Sequence, residues 1–260
     1  QLVNVAAKVR GMYAGAVGGV PITVRATIGR SWGQGGQHSQ GLQSLFAHIP
    51  GLRVVMPSTP ADAKGAMAWS LTESKDPVIF IDHRMLHKMS GPVPLSNSDA
   101  AWGCDPKSGS RRIYQGDDIT IVALSYMAVE ASRAVAMLQS LGLSVSLFDP
   151  VWIRPLPVLH SVVTDVQRTR RLLVVDCGWP TYGWSAEMVA SVAERTPIER
   201  VARMGFAETV CPTAKSLEDL YYPTAETIAA KAYEMVMRKK MPALEKNGAA
   251  PEVATFRGPF

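Results

Sequence analysis

The sequence predicts an α/β protein built on parallel sheets. Short, continuous apolar runs rich in β-branched residues alternate with segments of helical periodicity. Strands covered by helices on both faces read as such runs, because both of their faces are buried. Between residues 93 and 116 this pattern lapses, and Pro, Gly, Ser and Asp dominate. We therefore predict α/β domains at 1–92 and 117–238, a linker at 93–116 and a basic, flexible tail at 239–260.

The first series of elements contains three predicted strands and two predicted helices. The strands are expected at 22–26, 53–56 and 77–81. One helix is expected over 39–48, with Leu42, Leu45 and Phe46 on its apolar face. The other runs from about 58 to 73, because a hydroxyl residue, Pro60 and Asp62 form a typical helix start.

The second series repeats the alternation with longer helices. Strands are predicted at 119–124, 144–148, 172–176 and 198–202. Helices are predicted at 127–140, 155–168 and 184–194, followed by a last one between Thr224 and Lys239. The first sheet is expected to be incomplete.

Composition excludes several classes of protein. The 260 residues are 47% hydrophobic and 19% charged, which favours one or two folded domains over disorder. No apolar run reaches the roughly 18 residues that a membrane-spanning helix needs. The three cysteines are widely spaced and indicate neither a disulfide framework nor a zinc site, so we expect a reducing compartment and a protein that is not secreted. No interleaving of basic and aromatic residues points to nucleic acid.

Charge is unevenly distributed along the chain. Residues 1–61 carry five Lys and Arg and no acidic residue, so their net charge equals the +5 of the whole chain. This excess favours an anionic ligand near the first series. Residues 238–260 have a net charge of +3 and lack apolar periodicity, which predicts an extended segment.

The segment 33–40 is the strongest candidate for a functional loop. Glycines at 33, 35 and 36 separate a predicted strand from a predicted helix, so the backbone can approach a ligand closely. His38 is expected at the N-terminus of that helix, where the helix dipole and Arg30 favour the neutral imidazole. The alternative is a surface glycine loop with a capping histidine.

Six short segments resemble one enzyme family when they are taken in order. They lie at 1–8, 37–40 (Gln-His-Ser-Gln), 48–55, 61–65, 153–155 and 178–183 (Gly-Trp-Pro-Thr-Tyr-Gly). Together they resemble the β subunit of the E1 component of 2-oxoacid dehydrogenase complexes, in the transketolase superfamily. The resemblance covers about 1–238. It implies the C-terminal part of a thiamin-diphosphate pyrimidine-binding domain, followed by a transketolase C-terminal-like domain, in a three-layer architecture.

The resemblance also implies roles for the loop residues. In such enzymes the histidine that matches His38 lies beside the thiazolium of thiamin diphosphate and assists acyl transfer to lipoyl. Gln37, Ser39 and Arg30 are expected to contribute to cofactor binding or to the shape of the loop. The family's glutamate, which activates the aminopyrimidine, is expected from a segment before Gln1, because the first carboxylate here is Asp62.

Metal ions are expected mainly outside this chain. The family's Mg²⁺ site uses a Gly-Asp-Gly word and asparagines, and this chain has no such word and only Asn4, Asn97 and Asn247. We therefore predict that an α-type subunit holds Mg²⁺ with the diphosphate. The turn at 71–76 corresponds to a structural K⁺ loop in some relatives. His83 and His87 favour packing over zinc, because no third ligand is evident.

Partners and compartment follow from the same resemblance. We expect an α-type E1 subunit, a second copy of this chain packed through 178–183, and a separate N-terminal piece of the β subunit as one possible source of the missing segment. Docking to an E2 acyltransferase is a further expectation. The compartment would be the cytoplasm, the mitochondrial matrix or the plastid stroma. The alternatives are a transketolase-like or acyloin-forming enzyme subunit and a non-catalytic scaffold.

Overall fold

The first sheet is mainly parallel and has four strands. The structure is a computed structural model that describes residues 1–29, 34–93 and 110–243. Strands β1 (Thr23–Ile28) and β2 (Arg53–Val55) both pair in parallel with β3 (Val78–His83). Strand β7 (Trp152–Arg154) adds to β2 in the antiparallel direction, so the order is β1-β3-β2-β7.

The second sheet has five strands in the order β4-β6-β5-β8-β9. Its strands are β4 (Arg111–Tyr114), β5 (Ile119–Ala123), β6 (Val145–Asp149), β8 (Arg171–Val175) and β9 (Arg200–Met204). All neighbours pair in parallel except β4, which is antiparallel to β6. The predicted α/β class with parallel sheets is confirmed.

Helices cover both sheets. In chain order they are α1 (Val9–Met12), α2 (Gly35–His38), α3 (Gln43–Ala47), α4 (Pro60–Thr72), α5 (Tyr126–Ser140), α6 (Leu159–Thr169), α7 (Trp184–Ala193), α8 (Lys215–Glu218) and α9 (Ala225–Met237). A π-helical turn spans Leu2–Ala6, and a 3-10 turn spans Arg84–Leu86. No helix within 1–29, 34–93 and 110–243 is both long and apolar enough to cross a membrane.

Two helix starts follow the capping chemistry of their residues. Thr59 accepts a hydrogen bond from the Asp62 backbone N–H at 3.1 Å, and Pro60 occupies the first helical position of α4. At α9, Thr224 and Thr227 each accept a hydrogen bond from the other's backbone N–H. Both helices therefore begin where the sequence predicts.

Several predicted boundaries are wrong. The helix expected over 39–48 forms only as α3, because Gly41 disfavours helical backbone, and Leu42 and Leu45 are exposed. The helix expected from Pro155 begins at Leu159, because strand β7 continues to Arg154 and Pro157 disfavours helical backbone at residue 156. Strand β4 lies inside the segment predicted as a linker.

One buried cluster extends through both halves of the chain. Ile79 and Ile81 of the first sheet belong to it together with Ile121 and Val122 of the second. A smaller cluster lies beneath α4 and includes Val55, Phe80 and the fully buried Trp152, which the second half of the chain contributes. The two sheets therefore share their cores.

A buried ionic network also joins the two halves. Arg111 of β4 donates to Asp62 of α4 at 2.9 Å and to Asp149 of β6 at 2.8 Å. Ser58 donates to Asp149 and accepts from Arg111. Burial raises the pKa of Asp149 to about 6, while the Arg111 guanidinium opposes that rise.

Candidate active site

The candidate loop begins where strand β1 ends. Gly29 follows Ile28 with φ of +89°, and a Cβ atom there would lie 2.3 Å from the ring of His83. Only glycine fits this approach to the end of β3. The next residues, 30–33, lie outside the described residues, so the prediction for Arg30 has no structural outcome.

His38 is exposed to solvent, so its imidazole is accessible to a ligand. It is the last residue of the four-residue helix α2, and the chain then runs through non-helical residues until α3 begins at Gln43. The predicted position of His38 at a helix N-terminus is therefore wrong. His38 lies instead at the carboxyl end of α2.

The two neighbours of His38 point into different environments. Gln37 is exposed, and its backbone carbonyl accepts a hydrogen bond from the Gln40 side chain at 3.1 Å. Ser39 is fully buried, beside the phenol of Tyr222. Burial raises the pKa of Tyr222 above its usual range, and the Ser39 hydroxyl partly opposes that rise. Gln37 and His38 thus share the exposed side of the loop, whereas Ser39 faces the interior.

The loop packs against the second half of the chain. A Cβ atom at Gly35 would lie 2.8 Å from Thr213 Cγ2, and one at Gly36 would lie 3.2 Å from Val210 Cβ. Both glycines therefore allow a close approach to the segment 210–213. Val210 itself is 69% exposed, so this contact forms the rim of the exposed surface around His38.

A second contact lies on the other side of His38. The Gln43 side-chain amide donates to Asp176 Oδ1 at 2.8 Å, and both side chains are fully buried. The other oxygen of Asp176 accepts from the Ser185 backbone N–H at 2.9 Å. Burial raises the pKa of Asp176 to about 6, although these hydrogen bonds and Arg203 favour the carboxylate.

Sequence reasoning missed this contact. Gln43 falls within the predicted helix 39–48 without a role of its own, and Asp176 is only the last residue of a predicted strand. A signal was present, however, because a carboxylate at the carboxyl end of an apolar parallel strand lies at the edge where such sheets place functional groups.

The carboxyl end of the first sheet carries further polar groups. His83, at the end of β3, is 1% exposed and stacks on Tyr126 of α5 with ring centroids 4.8 Å apart. Asp82 accepts from Thr27 at 2.8 Å and from Arg25 Nε at 2.9 Å. His87 lies 3.2 Å from Asp82. His83 is therefore packed in the interior, whereas His87 is exposed and lies beside Asp82.

Other candidate ligands give no metal centre within the described ranges. No group of three or more His, Cys, Asp and Glu side chains in residues 1–29, 34–93 and 110–243 is placed to hold an ion. Cys177 and Cys211 form no disulfide and are buried, and burial raises the pKa of the Cys177 thiol, which donates to the Leu124 carbonyl at 3.0 Å. Cys104 lies outside the described residues.

Family models match both halves of the chain. The transketolase pyrimidine-binding domain matches residues 3–89, and the transketolase C-terminal domain matches residues 109–228. A solved structure described as a split-gene transketolase, an inactive β4 tetramer, superposes with a TM-score of 0.67 at 20% identity. That match covers 83% of this chain and 66% of the other, and it indicates a shared fold. The fold and the histidine loop thus define a transketolase-type protein.

Similarity to characterised relatives identifies the family within the transketolase-type proteins. The chain is 36% identical over 238 residues to the β subunit of acetoin:2,6-dichlorophenolindophenol oxidoreductase from Cupriavidus necator, covering 89% of this chain and 67% of that protein. It is 34% identical to the mitochondrial pyruvate dehydrogenase E1 component subunit beta-1 of Oryza sativa, covering 89% and 62%. The chain belongs to the family of E1 β subunits of 2-oxoacid dehydrogenases, and it spans about two thirds of the length of these relatives.

Proposed function

We propose that this chain is the β-type half of a thiamin diphosphate-dependent 2-oxoacid dehydrogenase. The observation that carries the proposal is the exposed His38 on a glycine loop within the part that matches the pyrimidine-binding model. Thiamin diphosphate bound beside Gln37 and His38 would supply the thiazolium that activates a 2-oxoacid for loss of CO₂ and for oxidative transfer of its acyl group to the disulfide of lipoyl, which is reduced.

The donor set of the loop fits one side of the cofactor. His38 and Gln37 offer an imidazole and an amide on the exposed side, which suits proton transfer and hydrogen bonding beside a thiazolium. We assign proton transfer during acyl transfer to His38. Gln37 and Arg30 would contact the cofactor or substrate. Ser39 would fix the shape of the loop, because its side chain is buried.

The remaining parts of the site would come from partners. Residues 1–61 contain no carboxylate, so the activating glutamate would come from a segment outside these 260 residues, on the same or a separate polypeptide. An α-type subunit would hold Mg²⁺ and the diphosphate. A second copy of this chain would pack on the turn at 178–183, where Tyr182 is 96% exposed. An E2 acyltransferase would receive the acyl group.

We also propose that this chain binds a structural K⁺ ion. The turn at 71–76 would bind it through backbone carbonyls, because the Asp76 carboxylate already accepts from Arg10 at 2.9 Å and from Arg53 at 3.3 Å. Melting temperatures compared in KCl and NaCl would test the K⁺ ion, and equal values would exclude it.

We further propose a reducing compartment, either cytoplasmic or inside an organelle, because it suits the two buried free thiols.

The decisive experiment is reconstitution with the α-type partner, followed by substitution of His38. His38→Ala should lower acyl transfer to lipoyl by roughly 10²–10⁴-fold, the usual contribution of a positioned acid or base, while assembly is retained. His160→Ala is the matched control, because that histidine is exposed on α6, in another element. Equal turnover of the wild type and His38→Ala would exclude the assigned role.

A second candidate function is acyloin chemistry without lipoyl. The Cupriavidus relative is named for acetoin, which favours testing this compound beside pyruvate and branched-chain 2-oxoacids. Cleavage of acetoin with dichlorophenolindophenol as electron acceptor would support this candidate. Binding of the α-type partner without turnover of any donor would favour the scaffold alternative.

A further inference from the structure

We propose that Gln43 and Asp176 are positioning residues whose buried hydrogen bond anchors the His38 loop to the second half of the chain. The inference goes beyond the family assignment by naming the pair that sets the position of His38. Its catalytic consequence rests on the proposed function, whereas the anchoring itself does not.

Gln43 and Asp176 are polar side chains that are buried together, at a cost in free energy. Gln43 and Asp176 are both fully buried and are separated by 133 positions in the chain. Gln43 Oε1 is buried without a hydrogen-bond partner among the described residues, so the amide is oriented by its N–H₂ group alone. Burying the amide costs free energy, and its hydrogen bond to the Asp176 carboxylate offsets part of that cost, so the two buried side chains depend on each other.

Two glycines make room for the contact between Gln43 and Asp176. A Cβ atom at Gly41 would lie 2.0 Å from the Cys177 carbonyl oxygen, and one at Gly178 would lie 2.7 Å from Gln43 Nε2. Glycine on both sides is therefore needed for the two backbones to come this close. The hydrogen bond and the two glycines form one interlocked contact at the carboxyl end of β8.

Apolar packing provides only part of the attachment of helix α3. Phe46 and Ala47 lie against the core with partial burial, whereas Leu45 is 58% exposed and Leu42, just before the helix, is 40% exposed. The buried polar contact through Gln43 therefore adds to the attachment of this short helix.

His38 lies between two contacts that the loop makes with the second half of the chain. Upstream, Gly35 and Gly36 lie against the segment 210–213, and downstream, Gln43 is bound to Asp176. Residues between His38 and Gln43 form no helix that could hold the loop rigid. Loss of the downstream anchor should therefore release the imidazole from its position while leaving the sheets intact.

Amide hydrogen exchange of segment 34–42 in the full chain tests the anchor without requiring activity. Gln43→Ala should accelerate exchange there at least tenfold at pH 5.5 and at pH 8, after correction for the intrinsic pH dependence. Gln43→Glu should exchange like the wild type at pH 5.5, where a proton shared with Asp176 restores the contact. At pH 8 it should exchange at least tenfold faster, because two carboxylates then face each other.

Ser58→Ala is the matched control, since it removes a different buried contact between the halves, the one from Ser58 to Asp149. Its exchange in 34–42 should equal that of the wild type. Unchanged exchange in Gln43→Ala would overturn the anchor. If Gln43→Ala does not fold, Gln43→Leu takes its place, because it keeps the volume but has no donor, and it should give the same acceleration.

Kinetics of the reconstituted enzyme separate positioning from mere stability. Gln43→Ala should lower kcat at least tenfold with a smaller change in KM, and Gln43→Glu should regain kcat towards acid pH. Accelerated exchange with an unchanged kcat would overturn the positioning role. An inactive wild type would refute the proposed function and leave the exchange result to decide the anchor.

Discussion

Trp152 offers a quantitative test of how the two halves of the chain depend on each other. Its side chain is fully buried beneath α4 and meets Trp69 edge to face, with ring centroids 5.3 Å apart. A tryptophan buries about 150–250 Å², which at about 25 cal/mol per Å² corresponds to roughly 4–6 kcal/mol. Because that area is an upper bound, Trp152→Ala should lower the free energy of unfolding by about 3–5 kcal/mol.

Urea unfolding followed by far-UV circular dichroism measures this loss. Tyr182→Ala is the control, because its ring is 96% exposed and its removal should change stability by less than about 0.5 kcal/mol. Equal urea midpoints for Trp152→Ala and Tyr182→Ala would show that the predicted loss of stability is wrong. The Trp152 side chain on β7 would then contribute no more to the first sheet than a surface side chain.

Three further predictions concern the buried polar groups and a helix cap. Arg111→Met should destabilise the fold by about 3–5 kcal/mol in urea unfolding, because it leaves Asp62 and Asp149 without their shared cation; an effect below about 1 kcal/mol would contradict it. Burial raises the pKa of Asp176 to about 6, so the stability of the wild type relative to Asp176→Asn should fall by about 2 kcal/mol from pH 4 to pH 7, and a flat or rising difference would contradict the burial argument. Thr224→Ala should cost about 1 kcal/mol, whereas Thr164→Ala, at an exposed hydroxyl within α6, should cost less.

Much of the fold was predictable because apolar runs and capping residues act locally. The strands around Ile121, Leu147 and Val174 formed as continuous apolar runs predict, since each is buried on both faces. Helix α4 begins at Pro60 for reasons visible in four consecutive residues. The exact domain boundaries stay a prediction, because the shared core does not divide the chain at one point.

Other features depend on contacts between distant segments and could not be predicted from the sequence. Strand β7 has only three residues and no apolar alternation, and it exists because β2 accepts it. His38 ends the short helix α2, whose glycines at 35 and 36 lie against the distant segment 210–213. The bond between Gln43 and Asp176 spans 133 positions, a separation at which local patterns carry no information.

The addition of β7 to the first sheet has a consequence for dissecting the molecule. A cut anywhere between residues 93 and 116 would leave Trp152–Arg154 on the second fragment, while its hydrogen-bonding partner β2 stays on the first. Neither fragment would be stable by itself. The first would expose the edge of β2 and a cavity where Trp152 packs, and the second would expose β7 with the indole ring of Trp152. Two such fragments mixed in solution would have to recognise each other through this strand, which makes the chain a natural starting point for a fragment-complementation reporter.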